Sequence, residues 1–386
     1  MKTAGRWLIV LSLLSALYGA SCPPPLKPGD PLRGLSAAEL QRFERGRAAF
    51  ARVFTPETGL GPLFNADGCA ECHEDPAVGG SGDEVEVHRA LLRPDGFCDP
   101  LADRGGPVFQ QHATPALQAA LGIDHEPEPA ESTARAARST PDVFGFGLLE
   151  AVPDSEIIAY ADPDDRDGDG ISGRPNFSLD GRLGRFGRKA FVPTLKEFVE
   201  GAYVIEQGIT DPAVPTEESI GGRPIPAGVD TVPEPEIGQE ELDLTEDFTR
   251  FLAAPQPLPL GGEGQRGRAI FEKIGCASCH LPSLTTGDSP VRALRYQRVY
   301  AYTDLLLHNM GAERADICFG QALPSEFRTE PLMGAHLMKT FLHDGAAKSI
   351  EEAVELHGGE AAAAKARFDG LPKGERAALL KFLNSL

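Results

Sequence analysis

This 386-residue chain holds a single tryptophan, Trp7, and that residue falls in a leader-like start, so the mature protein has none. Long apolar runs are missing as well. The one candidate, Trp7 to Leu17, is too short for a convincing membrane span. Basic residues are outnumbered, with 37 Lys and Arg against 57 Asp and Glu and a net charge of −20. That balance argues against nucleic acid and favours basic partners or plain solubility. Cysteines number seven, and no CxxC pair lacks a following histidine, so nothing is left over for dithiol chemistry.

The start itself reads as an export signal over residues 1–21, with Lys2 and Arg6 before the apolar run and small residues after it. Its removal takes the charge to −22. Gly19-Ala20-Ser21-Cys22 has the form of a lipoprotein box, with an atypical Gly at its first position. Two outcomes stay open: a lipid anchor at Cys22, or simple cleavage that releases a periplasmic protein. Residues 22–34, with Pro23, Pro24, Pro25 and Pro28, suit an extended tether.

What the chain does contain is one pattern twice. Cys276-Ala277-Ser278-Cys279-His280 repeats Cys69-Ala70-Glu71-Cys72-His73. Two cysteines three apart, followed at once by histidine, are the signature of covalent c-type haem attachment. Residues at that spacing sit side by side on a helical turn, so both thiols reach the vinyl groups of one porphyrin. The histidine then lies under the iron as proximal ligand. A structural zinc site is the competing reading, disfavoured because both pairs carry the histidine and the chain is exported. Of the remaining cysteines, Cys98 and Cys318 form either a disulfide or two separate buried thiols.

Each attachment motif is preceded by a copy of one helix. Arg45-Gly46-Arg47-Ala48-Ala49-Phe50 matches Arg266-Gly267-Arg268-Ala269-Ile270-Phe271, and the first copy carries an insertion before its cysteines. The chain therefore reads as two related haem units, mainly α, with cytochrome c-like domains, long loops and inserted segments. Their expected bounds are 35–253 and 260–386, joined by the proline-rich Ala254 to Pro259. Ser36 with Glu39 makes a capping box for a helix from Ala37 to about Phe54. Asp75 to Arg138 reads as loops with one helix near Pro115 to Leu121, and Thr210 to Asp247 as acidic surface loop. Leu183 to Gly208 is expected to be helical in its second half, and Pro372 to Leu386 to form a final amphipathic helix.

Further motifs carry a resemblance. They are Gly59-Leu60-Gly61-Pro62, Phe144-Gly145-Phe146-Gly147-Leu148-Leu149-Glu150, Asp167 to Arg174 and Gly184 to Ala190. In the second half come Tyr302 to His308, Phe341-Leu342-His343-Asp344-Gly345, Glu351 to Val354 and His357-Gly358-Gly359-Glu360-Ala361. With both attachment motifs, the chain resembles the bacterial di-haem cytochrome c peroxidase and MauG superfamily. Within it, the closest likeness is to the di-haem oxidoreductase branch, also called thiol oxidoreductases. The thiol label finds no support in these cysteines.

The resemblance implies roles. Peroxide reduction needs two electrons, hence two centres: a reactive haem on His73 and an electron-relay haem on His280. The relay's sixth ligand falls at His357, fourteen residues after His343, with Met310 and Met333 as alternatives. A bis-histidine relay has a lower potential than a His/Met one. Glu150 is the candidate distal acid–base group, since an apolar setting suits a carboxyl to proton exchange. Gln110 and Gln111 are supporting donors, and His88 is a candidate displaceable ligand or a surface histidine. His308 and His343 are expected to bond propionates or to organise the space between haems, with Arg185 and Arg188 as further propionate partners.

Asp165, Asp167 and Asp169 alternate before Gly170 like half of a calcium loop, but Asn176 stands where an EF-hand has its closing glutamate. Met338 and Thr340 replace the threonine and proline of the family's inter-haem calcium site. Trp7 being the only tryptophan, a MauG-type aromatic relay must use another residue, or the haems couple directly.

Together these readings describe an exported di-haem c-type enzyme with two covalent haems and calcium as a further cofactor. It takes hydrogen peroxide and a small electron-donor protein or a protein substrate. The alternative is a non-enzymatic di-haem electron-transfer cytochrome with both irons six-coordinate.

Overall fold

The computed structural model describes residues 24–95, 97–217 and 219–386. The expected export signal, residues 1–21, and Cys22 lie outside the described residues. Helix outweighs strand, 33% against 13%, so the chain is mainly α. Among the described residues, no helix is long and apolar enough to cross a membrane.

Helix α1, Ala37–Phe50, opens as its sequence dictates. Ser36 Oγ accepts from the Glu39 amide, and Glu39 Oε2 accepts from the Ser36 amide at 2.6 Å. It ends short of Phe54, whose amide instead bonds Asp67 O at 2.8 Å and turns the chain toward the first cysteine pair. Helix α2, Leu195–Gln207, follows its Thr194 cap. Helix α3, Gln239–Phe251, corrects the loop expected there: Leu244, Phe248 and Phe251 recur at helical spacing and are buried. The remaining helices that matter are α4, Gly262–Lys273, α5, Ile350–Glu355, and α6, Lys373–Leu383.

The sequence repeat has a packing reason. In α1, a Cβ on Gly46 would lie 2.2 Å from Leu244 O of α3. In α4, a Cβ on Gly267 would lie 1.9 Å from Ala378 O of α6. Each copy of Arg-Gly-Arg-Ala thus places its glycine where two helix backbones touch, an approach that any side chain would block. Phenylalanine four residues on completes each crossing: Phe50 packs on Phe248 at 4.9 Å and Phe271 on Phe382 at 5.4 Å.

Residues 75–138 depart from the expected loops. Strand β1, Val85–Leu92, pairs antiparallel with β2, Ala134–Ser139, and short strands Cys98–Asp99 and Val108–Phe109 flank it. The buried side is mostly alanine, Ala90, Ala134 and Ala136, with Val87, so only the Val85-Glu86-Val87 end carries the β-branched alternation that marks a strand. Cys98 is disulfide-bonded to Cys318, with Cα atoms 6.1 Å apart, which ties this sheet to the second half of the chain. A two-stranded ribbon, β3 (Leu307–Asn309) with β4 (Glu326–Arg328), completes the frame of the second site.

The largest core cluster draws on both sides of the Ala254–Pro259 linker, joining Phe144, Phe186 and Phe248 to Leu284, Leu305 and Leu306. A second cluster gathers Phe271, Tyr302, Phe368 and Phe382 between α4 and α6.

Candidate functional site

The second cysteine pair lies on the tight turn Cys276–Ser278, and the His280 amide bonds Cys276 O at 3.0 Å. This fixes the imidazole directly beneath the cysteines. His280 Nδ1 is 2.9 Å from Tyr302 O, which leaves Nε2 to face a cavity of about 410 Å³. Across that cavity stands His357, just beyond α5, its Nδ1 2.6 Å from Ala353 O. The two rings are 6.5 Å apart between centroids. Metal–imidazole bonds of about 2 Å, plus just over 1 Å from each nitrogen to its ring centre, put two axial imidazoles about 6 Å apart. The residues therefore fit one iron between two histidines. Anchoring Nδ1 on a carbonyl is how such ligands are oriented. Burial pushes His280 down to about 4, with His357 adding to the effect, and burial also lowers His357, so both rings are neutral. Met310 and Met333 line the same cavity.

The first pair occupies a single helical turn, Cys69–Cys72, and repeats the anchoring: His73 N bonds Cys69 O at 3.0 Å and His73 Nδ1 lies 3.0 Å from Gly80 O. Burial lowers the His73 pKa. The ring that meets His73 belongs to Phe50, edge-on at 5.9 Å. Gln207 Nε2 donates to Cys69 Sγ at 3.3 Å, while Gln207 Oε1 is buried without a partner. Burial raises the Cys72 thiol, as do the charges of Glu84, Glu206 and Glu86. His88 Nε2 is 2.9 Å from Glu86 Oε2 on the inner sheet strand. Burial opposes ionisation of Glu86, but His88 outweighs it and the carboxyl is held below its ordinary value. Gln111 is exposed, donating to Val85 O at 2.7 Å and to Asn65 Oδ1 at 3.0 Å; Asn65 in turn donates to Glu206 Oε2. Buried Gln110 donates to Ile205 O at 3.0 Å.

Two expectations need correcting. Glu150 is not a carboxyl left among apolar groups: Oε1 accepts from the Leu195 amide at 2.8 Å and Oε2 from Arg250 Nε at 2.9 Å. It anchors the start of α2. Arg185 is likewise committed to the chain, donating to the carbonyls of Glu150 and Val152 and pairing with Asp154. Arg188, in contrast, lines the cavity, bonded to Ser139 O at 2.9 Å and to Glu330 at 3.0 Å.

His343 also lines the cavity, stacked on Phe327 at 4.1 Å. Its Nε2 is 3.7 Å from Asp316, which has the geometry of an ion pair. Yet burial, with Arg138, Arg188 and Lys189 nearby, pushes its pKa down to about 2, and the ring is neutral because Asp316 is already held by Arg138 and Lys189. His308 is buried beside Cys279, with both ring nitrogens bonded to carboxylates, so a propionate would have to displace one of them.

One short segment belongs to both sites. Ser139 N bonds His343 O at 3.0 Å, and Pro141 and Asp142 line the second cavity. The Pro141 backbone also acts on the His73 ring, raising its pKa against the effect of burial. Burial pushes Asp142 up to about 7.

The carboxylates of Asp165, Asp167 and Asp169 lie within 4.8 Å of one another, as a cation loop requires. Glu217, Asp230, Glu234 and Glu236 form a second such group that sequence reading missed, scattered as they are through a loop. Glu86, Gln207 and Asp142 were missed too, none of them standing in a motif with a spacing rule. Asp304 and Glu360 were visible only as parts of matching stretches.

Residues 130–386, about two thirds of the chain, match the family described as "Di-haem oxidoreductase, putative peroxidase". The match includes Cys276 to His280 and begins after Cys69 to His73. Cytochrome c551 peroxidase of Nitrosomonas europaea is 29% identical over 92 residues, 24% of this chain and 26% of that protein. The chain thus matches about a quarter of that relative's length. Among solved structures, the diheme peroxidase BthA of Burkholderia thailandensis E264 aligns over 94% of this chain and 89% of its own, with 14% identity and a TM-score of 0.43. A MauG-like protein associated with microbial copper homeostasis aligns over 99% and 95%, with 16% identity and a TM-score of 0.41. Hydrazine synthase of Kuenenia stuttgartiensis aligns over 99% and 100%, with 14% identity and a TM-score of 0.43. On the extent of the family match, with an attachment motif and a facing histidine pair inside it, the chain belongs to the di-haem oxidoreductase family.

Proposed function

We propose that the protein is an exported di-haem c-type oxidoreductase that reduces hydrogen peroxide or uses it to oxidise a partner protein. The observation that carries this reading is an asymmetry between two otherwise matching sites. At the second, His280 and His357 stand 6.5 Å apart; at the first, among the described residues no histidine is in ring contact with His73, whose one ring neighbour is Phe50, the repeat counterpart of Phe271. Haem, once attached, supplies an iron position for peroxide and electrons for its two-electron reduction.

The chain's residues do the rest. Cys276 and Cys279 would tether the second porphyrin, and His280 and His357 would hold its iron between them, leaving that centre for electron transfer. Cys69 and Cys72 would tether the first, with His73 as its histidine ligand. The Glu86 Oε2–His88 Nε2 pair beside Cys72 holds a proton where proton exchange with peroxide is needed. Electrons come from a small donor protein or from the protein substrate itself. Calcium at Asp165, Asp167 and Asp169 and a lipid at Cys22 are subsidiary parts of the same proposal.

Low-temperature EPR of the ferric protein before and after peroxide tests it. One high-spin signal lost on peroxide addition, beside one low-spin signal, is the expected result. Two low-spin signals indifferent to peroxide, in oxidised and half-reduced protein alike, would make the protein an electron carrier instead.

A further inference from the structure

His308 lies on β3, 3% exposed, in the wall of the second cavity. Its Nε2 is 2.8 Å from Asp304 Oδ2 and its Nδ1 2.8 Å from Glu360 Oε2. Carboxylates only accept hydrogen bonds, so both ring nitrogens must carry hydrogen and the ring is an imidazolium. Nor can either carboxylate readily give way. Glu360 also accepts from Ser172 N at 3.0 Å, Ser172 Oγ at 2.8 Å and Asn309 N at 3.1 Å. Asp304 accepts from Leu306 N at 2.9 Å. Burial would strip the ring of its proton, but Asp304, Cys279 and Glu360 override it and hold the group well above its ordinary value. The same Nδ1 lies 3.6 Å from Cys279 Sγ, the sulfur that would tether the second porphyrin.

We propose that His308 is a positioning residue: clamped between Asp304 and Glu360, it fixes a buried positive charge at the Cys279 edge of the second haem and so favours that haem's reduced state. The inference rests on the reading of the second site as a bis-histidine haem. Between two fixed carboxylates the protonated ring leaves this cluster with one negative charge where a neutral residue would leave two, and that difference favours the added electron of the reduced iron with little water to screen it. The clamp also makes the charge permanent. A lone buried histidine would lose its proton, and the carboxylates prevent that.

The test uses the holoprotein and reads the midpoint potential of the low-spin haem by EPR-monitored redox titration. His308→Gln removes the charge and keeps a hydrogen-bond donor. The expected result is an unchanged low-spin signal and a potential at least 59 mV lower, a tenfold shift of the one-electron equilibrium. His308→Lys restores the charge and should recover the wild-type potential within that margin. Equal shifts in the two variants, no shift in His308→Gln, or loss of its low-spin signal would each overturn the proposal. Should His308→Gln fail to fold, ¹⁵N-histidine NMR of the reduced wild-type protein decides the matter. One histidine doubly protonated at pH 8.5 supports the fixed charge, and none overturns it. Wild-type protein with no low-spin haem would instead defeat the bis-histidine reading, so the two failures are distinct.

Discussion

His280 and His357 stand 6.5 Å apart, centroid to centroid, each with Nδ1 tied to a backbone carbonyl, which leaves Nε2 as the nitrogen for a metal. They reach this position from different elements, a tight turn after α4 and the end of α5, and nothing local in either segment dictates the pairing. The separation suits one iron held between the two rings.

Removing one of the pair should therefore change the spin state of a single centre. His357→Gly is expected to convert the second haem from low to high spin and leave the first unaltered. His357→Met should stay low-spin with a raised midpoint potential, since methionine ligation raises it. EPR with redox titration checks both, and an unchanged spectrum in His357→Gly would refute the ligand assignment.

Gly46→Ala and Gly267→Ala each drive a methyl group into a backbone carbonyl of the partner helix. Each should cost about 1–3 kcal/mol in urea unfolding, as overpacked cores do. Gly374→Ala, in α6 with open space around it, serves as the control and should be neutral or stabilising by up to about 1 kcal/mol.

Glu150→Gln should weaken the fold more than the chemistry. The carboxylate pairs with Arg250 and caps α2, so a loss of about 1–3 kcal/mol is expected. The peroxide-induced EPR change should persist; its disappearance would restore Glu150 as the distal acid–base group.

Acid should destabilise the protein through His343. Its folded pKa of about 2 lies below the unfolded value of about 6.5, so the unfolded chain binds the extra proton between those limits. Its contribution is complete above about pH 6.5 and declines as the pH falls toward 2. In His343→Gln the slope of stability against pH over that window should drop by nearly one proton, measured by urea unfolding at a series of pH values.

Reducing the Cys98–Cys318 bond, or replacing both residues by serine, should cost about 2–5 kcal/mol. The bond closes a loop spanning 220 residues, and differential scanning calorimetry with and without reductant gives the answer.

What was legible in the sequence was local chemistry. Both cysteine motifs, the Ser36 cap and the duplicated helix are set by residues within a turn or two, whereas His357 was singled out only through the family resemblance. The sheet around Val85 was not legible, because beyond Val85 and Val87 its buried residues are mostly alanine, which is depleted in strands. Helix α3 hid within acidic residues that face solvent on its other side. Roles that depend on distant partners were least visible. Glu150 is defined by Arg250 and Leu195, and His308 by Glu360, which lies 52 residues away. A histidine's two nitrogens have no partner in a sequence until the chain has folded.

The stretch from Ser139 to Asp142 has a consequence for engineering. It backs the second cavity while its Pro141 backbone acts electrostatically on His73 at the first. A substitution there is not private to one site: a change made to reshape the second cavity will also alter the surroundings of His73, and the two must be optimised as a single object.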